Sequence, residues 1–225
     1  MALLMTPSLW DSIDWYHKAP SSIKKGTKIT WKEDAYNSLS NTLNRVWAPT
    51  PAITRGMDYE QTICYGKKPL IPPNLTEKFD KAWNMIHAEG GIFQKKTKKF
   101  VMYDEKEFVI YGKEDVHFAP TEVLPDIKKL IIDIKTTGNY NGMSSYLSKW
   151  QHRIYCWCSR IEDFIFIVYE FDNDTGLLID IHFIDYHVNN FEVIEKEILD
   201  NLDYVIKFLR ADPKLKNAYL KKFNY

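Results

Sequence analysis

The stretch Leu130-Ile131-Ile132-Asp133-Ile134-Lys135 ends an apolar run with a carboxylate and an ammonium two positions apart. Side chains alternate along a strand, so Asp133 and Lys135 leave one face while Ile134 enters the opposite layer. Presenting both charges from a buried strand is costly unless they act on something charged. A second carboxylate would complete a site for a metal ion, and two stand upstream, Asp115 and Asp126. If the connection between the two strands is centred near Leu124, antiparallel pairing sets Asp115 opposite Asp133. Asp126 precedes Asp133 on the same rising segment by about 23 Å at the usual strand rise, too far to share an ion. Asp115 is the expected ligand, and Pro125-Asp126 belongs to a turn.

The elements that must hold these residues follow from hydrophobic period and punctuation. Helices are expected over 8–17, 31–47, 54–66 and 76–88, the first capped by Thr6 or Ser8, so the portion 1–90 is mostly helical. After Gly91 the pattern turns to Val, Ile, Phe and Tyr, predicting strands over 92–102, 107–119 and 128–136. A helix over 144–160, a strand pair over 163–171 and 177–186, and a long helix over 189–210 complete the chain. This order describes an α/β fold, a mixed central sheet with helices on its faces, in a single domain spanning 1–225.

The 225 residues, 45% hydrophobic with 9 glycines and 10 prolines, exclude collagen-like, disordered and disulfide-scaffold classes. Thirty basic and thirty acidic side chains cancel, so no polyanion-binding field covers the whole surface. Charge is still grouped locally, in Lys95, Lys96, Lys98 and Lys99, in Lys24, Lys25 and Lys28, and in Lys214, Lys216, Lys221 and Lys222. Each block could contact phosphates or be an ordinary solvated surface. The apolar run 164–171 is far short of the roughly twenty residues of a membrane span. Residues 1–5 lack a basic flank and Pro7, Asp11 and Asp14 follow, so no secretory leader is expected. Three cysteines, Cys64, Cys156 and Cys158, without framework spacing, suit a reducing compartment. His152, Cys156 and Cys158 resemble part of a zinc set, but only 152 and 156 share a helix face and packing is the better reading.

Taken together, these residues resemble the PD-(D/E)xK nuclease superfamily, in particular its RecB-type branch with the lambda-type phage exonucleases. Gly112-Lys113-Glu114-Asp115 matches the first acid and Asp133-Ile134-Lys135-Thr136 the acid-x-Lys strand. Arg55-Gly56-Met57-Asp58-Tyr59-Glu60 is similar to the family's upstream Gly-x-x-x-Glu/His helix, and Gln151-His152-Arg153-Ile154-Tyr155 to its downstream Gln-x-x-x-Tyr helix. The four occur in the family's order between 55 and 155. Two positions depart from it: Glu114 stands where proline is usual, and the second acid is Asp.

The resemblance implies a restriction-endonuclease-like core and phosphodiester hydrolysis with Mg²⁺ or Mn²⁺, two ions in all. Asp115, Asp133, the Ile134 carbonyl and Glu60 would hold the metal. Lys135 would orient a water or help deprotonate it, and Gln151 would contact that water or the Lys135 amine. Tyr155 would serve a nucleotide or packing. Thr136 and Thr137, with Arg55 and the lysines at 95, 96, 98 and 99, would contact DNA. Members of the branch with an iron–sulfur cluster use four cysteines, so none is expected here. The implied activity is an exonuclease on linear DNA in recombination, repair or phage DNA processing. A structure- or sequence-specific endonuclease is the alternative within the superfamily, and a non-catalytic nucleic-acid-binding module the alternative outside it. A single-strand annealing or recombination protein is an implied partner, with ring-shaped oligomers known among phage members, in the cytoplasm of a bacterial or phage-infected cell.

Overall fold

The computed structural model describes residues 2–47 and 49–223. Strand β1 (Leu3–Met5) comes first, followed by helices α1 (Pro7–Lys18), α2 (Trp31–Asn44), α3 (Pro51–Cys64) and α4 (Thr76–Ile86). Then come β2 (Ile92–Tyr103), β3 (Lys106–Phe118), β4 (Leu130–Thr137), α5 (Ser144–Leu147), α6 (Gln151–Ser159), β5 (Asp163–Phe171), β6 (Leu178–His187), α7 (Phe191–Ala211) and α8 (Pro213–Lys222). The fold is mixed α/β, as expected, with one six-stranded sheet in the order β1-β3-β4-β5-β6 and β2 paired to β3. No helix among the described residues is long and apolar enough to cross a membrane.

By their contacts the residues group into two compact units. One comprises Met1–Ala48, Lys98–Gly112 and Asn190–Tyr225; the other comprises Pro49–Thr97 and Lys113–Asn189. In the first, α1 starts at the Thr6 cap, and α2 has a full capping box between Thr30 and Glu33. β1 lies parallel to β3 with Leu3 opposite Phe108, and Tyr219 of α8 donates its hydroxyl to the Leu4 carbonyl at 3.0 Å. Neither β1 nor α8 is among the expected elements, yet Asp212-Pro213 is a readable helix start: the Asp212 side chain accepts from Lys214 N and Leu215 N.

In the second unit β4 is paired on both flanks, unequally. With β5 it runs parallel from Ile131↔Phe164 to Thr137↔Glu170. With β3 it runs antiparallel only from Phe118↔Leu130 to Val116↔Ile132, the register that a turn centred on Leu124 requires. One face of this sheet is apolar, with Val116, Ile132, Ile134, Ile167 and Tyr169 packed against Phe79, Ala82 and Ile86 of α4 and Ile63 of α3. The other receives α6, whose His152 ring meets those of Phe164 and Phe166. The single helix expected over 144–160 is interrupted at 148–150, which leaves Gln151 in the first turn of α6.

Candidate active site

Asp133 stands in the middle of β4, fully buried, and Asp115 on β3 is 6% exposed. The β3–β4 ladder ends one step before these two would pair. In place of a backbone carbonyl, the Asp115 carboxylate takes the Ile134 N–H, at 2.8 Å to Oδ2. Its other oxygen accepts from the Gln94 amide at 3.1 Å, and the same amide nitrogen lies 3.4 Å from Glu60 Oε1. Asp133 Oδ1 accepts from Gln151 Nε2 at 2.7 Å, and Lys135 Nζ lies 2.5 Å from Asp133 Oδ2. Gln151 thus meets the carboxylate, where sequence reasoning set it toward a water or the Lys135 amine. Its amide also donates to the Tyr155 hydroxyl at 3.2 Å, one helical turn on. Tyr155 is buried, and burial raises its hydroxyl pKa, with Asp133 adding.

Three carboxylates and one ammonium therefore share a small, poorly hydrated volume. Burial, with Asp115 adding, pushes Glu60 up to about 7. Burial likewise pushes Asp133 up to about 7, with Asp115 and Glu60 adding and Lys135 pulling the other way. Asp115 is raised by burial against the pull of Lys135 and the Ile134 N–H. Burial alone would lower Lys135, but Asp133 and Asp115 outweigh it and hold the ammonium above its ordinary range. Accumulated negative charge that the protein only partly neutralises is what a cation relieves.

Among the described residues no three His, Cys, Asp and Glu side chains form a ready-made metal cage. A Mg²⁺ ion does not need one, since it is held by one or two carboxylates with water and substrate phosphate completing its shell. Asp115, Asp133 and the Ile134 carbonyl make an all-oxygen donor set of that kind. Asp133 Oδ2 is moreover buried, and the Lys135 ammonium is set against it. The residues present fit the ion, with Glu60 joined to the pair through Gln94.

A cleft of about 420 Å³ opens here, lined by Arg55, Gly56 and Glu60 of α3 and by Lys135, Thr136 and Thr137 of β4. Gly56 permits the approach of helix to strand: a Cβ at that position would lie 2.2 Å from Thr136 Oγ1. Thr136 therefore faces α3, and the Thr137 hydroxyl is held in the following turn by Asn139, whose N–H it accepts at 3.1 Å. The guanidinium of Arg55 lies 5.9 Å from the Phe171 ring centre at the cleft wall. Asp126 is exposed in the loop before β4.

The lysine block on β2 does not act as one surface. Lys95 turns inward, its amine 2.5 Å from His117 Nε2, while Lys96 is exposed. Lys99 lies 3.6 Å from Glu195, and Lys98 sits over the Phe100 ring. The residues that sequence reasoning missed are Gln94, which takes a left-handed φ of 55° on β2, and Glu114, whose side chain is fully buried. Gln94 has no local signal. Glu114 has one, since adjacent acids inside the apolar stretch 108–118 cannot both face solvent.

No protein-family model matches this sequence, and no curated protein matches it. Among solved structures, the chain is similar to a protein designated SSO0001 at 13% identity and a TM-score of 0.47, over 91% of this chain and 77% of that one. It is similar to the alkaline exonuclease LHK-Exo from Laribacter hongkongensis at 13% identity and a TM-score of 0.43, over 96% of this chain and 93% of that one. A phage-related exonuclease from Haemophilus somnus 129PT is similar at 14% identity and a TM-score of 0.44, over 97% of this chain and 94% of that one.

Proposed function

We propose that the chain is a metal-dependent deoxyribonuclease that hydrolyses phosphodiester bonds of linear DNA from its ends. The observation that carries this reading is the meeting of Asp115, Asp133 and Lys135 where β3 leaves β4, at the side of an open polar cleft. Asp115, Asp133, the Ile134 carbonyl and Glu60 would hold Mg²⁺ or Mn²⁺. Bound there, the ion supplies Lewis-acid polarisation of a phosphoryl oxygen and a more acidic water. Lys135, an ammonium at neutral pH, orients the attacking water by hydrogen bonding and offsets negative charge growing on the phosphoryl oxygens. Gln151 and the Ile134 N–H fix the two carboxylates from opposite sides, so that neither must reorganise as charge develops. Thr136, Thr137 and Arg55 line the wall along which a phosphate backbone would run. Preference for ends follows the RecB-type resemblance of the four motifs.

The test is a digestion time course on end-labelled linear single- and double-stranded DNA and on closed circles, with Mg²⁺, with Mn²⁺ and with chelator. Wild-type protein is expected to shorten linear DNA only with metal and to spare circles, and Lys135→Ala to lose at least a hundredfold in rate. Undiminished cutting by Lys135→Ala, or cutting in chelator, sinks the catalytic roles. Cutting of circles moves the assignment to an endonuclease.

A further inference from the structure

Beside Asp115 lies a second cluster of charged groups, with its Glu114 and His117 buried. Glu114 is 0% and His117 2% exposed, and their side chains meet, Nδ1 to Oε2, at 2.5 Å. Residues three apart on a regular strand leave opposite faces. The contact therefore marks a local turn of β3 about its axis between 114 and 117, with Asp115 inside the turned segment. Irregularities of this kind re-aim side chains next to sites. The other Glu114 oxygen accepts the hydroxyl of Ser159, at the end of α6, and Ser159 Oγ lies 3.1 Å from Thr97 Oγ1 on β2. His117 Nε2 faces the Lys95 amine at 2.5 Å. Each contributing segment also supplies a residue of the candidate site: Gln94, which donates to Asp115, precedes Lys95, Asp115 follows Glu114, and Gln151, which donates to Asp133, begins the helix that Ser159 ends.

Hydrogen-bond direction fixes the cluster's chemistry. An ammonium can only donate, so Nε2 of His117 accepts from Lys95, leaving the ring proton on Nδ1 to be donated to Glu114. Glu114 then accepts from both His117 and Ser159, using a charge that an amide would lack. We infer that Glu114 is a positioning residue: through His117, Lys95 and Ser159 it fixes the rotation of β3 that sets the Asp115 carboxylate against the Ile134 N–H and Gln94. This rests on the nuclease reading above. A glutamine at 114 has the same shape but must turn its NH₂ toward one of two donors, so the turned segment relaxes and Asp115 loses its direction.

The experiment compares wild type with Glu114→Gln, Ser159→Ala, Ser159→Thr and Lys95→Met. Folding is monitored by circular dichroism, Mn²⁺ affinity by electron paramagnetic resonance of free Mn²⁺, and His117 by ¹⁵N-resolved imidazole NMR, with kcat and KM measured on linear DNA. Wild-type His117 is expected as the neutral ring protonated at Nδ1, and Glu114→Gln should change that signature. Glu114→Gln should weaken Mn²⁺ binding ten- to a hundredfold, the range for groups that orient metal ligands, and lower kcat more than it raises KM. Ser159→Ala and Lys95→Met should shift both in the same direction by less, and Ser159→Thr should restore wild-type values. Folded variants with wild-type Mn²⁺ affinity and kcat overturn the inference, as does a wild-type ring protonated at Nε2 alone. Should Glu114→Gln fail to fold, Ser159→Ala and Lys95→Met decide by the same criteria. Wild-type protein that neither binds Mn²⁺ nor cuts DNA defeats the nuclease reading and this inference together, whereas active wild type beside indistinguishable variants defeats only the inference.

Discussion

Replacing Gly56 by alanine tests whether the contact of α3 with β4 sets the position of Glu60. The new Cβ would lie 2.2 Å from Thr136 Oγ1 and 3.4 Å from Thr136 Cβ, against roughly 3.5–4.0 Å for an unstrained contact. More than 1 Å must be found. Thr136 is β-branched and stiff about χ1, so α3 is expected to retreat, carrying Glu60 one turn along the same helix. Alanine gains about 1 kcal/mol in helix propensity over glycine, while overpacking costs about 1–3 kcal/mol, so a net loss of up to about 2 kcal/mol is expected. For a chain of this size that lowers Tm by up to about 8 °C. A displacement near 1 Å at the site should also cost about a hundredfold in rate. The assay is a double-mutant cycle with Thr136→Ala, read by thermal melting and by DNA digestion. Removing Oγ1 leaves only the 3.4 Å Cβ contact, so Gly56→Ala on the Thr136→Ala background should be neutral or stabilising. If Gly56→Ala alone matches wild type in both stability and rate, the contact does not set the site.

Protonation yields further expectations. With chelator present, Glu60 and Asp133 titrate near 7 in the folded protein and near 4 when unfolded, so the folded form binds more protons between these values. Stability should therefore rise as pH falls from 8 through 7, and Asp133→Asn should flatten that rise in thermal melts. His152 works in the opposite sense: burial, with Arg153 adding, pushes it down to about 3, so below about 6.5 the unfolded chain takes up the proton first and stability falls. Both His152 ring nitrogens are buried without a hydrogen-bond partner, in contact with the rings of Phe166 and Tyr186. His152→Phe should therefore raise stability by about 1–3 kcal/mol of relieved desolvation, and make the rise toward low pH steeper below about 6.5. A lower Tm at every pH would show that the imidazole is needed for packing.

The strands and most helices are legible because their periods and caps are local. β5 falls on 163–171 as expected, and the register of β4 on β3 follows from the centre of a turn. What was not legible depends on contacts distant in sequence. The division at 48/49 cuts through the helical portion because α1 and α2 associate with α7 and α8, some 150 residues later. Among candidate site residues, Asp133 and Lys135 are readable from alternation, and Asp115 from the centre of the turn. Gln94 is not, since nothing near it in sequence says that its amide lies between Glu60 and Asp115. Lys95 shows the converse, reading as part of a basic surface until His117 is placed against it.

The unequal pairing of β4 bears on the order of folding. Its seven matched positions are with β5, which is parallel and reached only through the crossover carrying α5 and α6. Asp133 sits opposite Phe166, so a chain emerging from the ribosome cannot seat that carboxylate until residues beyond 166 are available. The groups around it, from Glu60 to Gln151, are likewise far apart along the chain, a high contact order that slows formation of the native topology. The site should therefore be among the last features to mature, and fragments ending before β5 should lack it however helical they are.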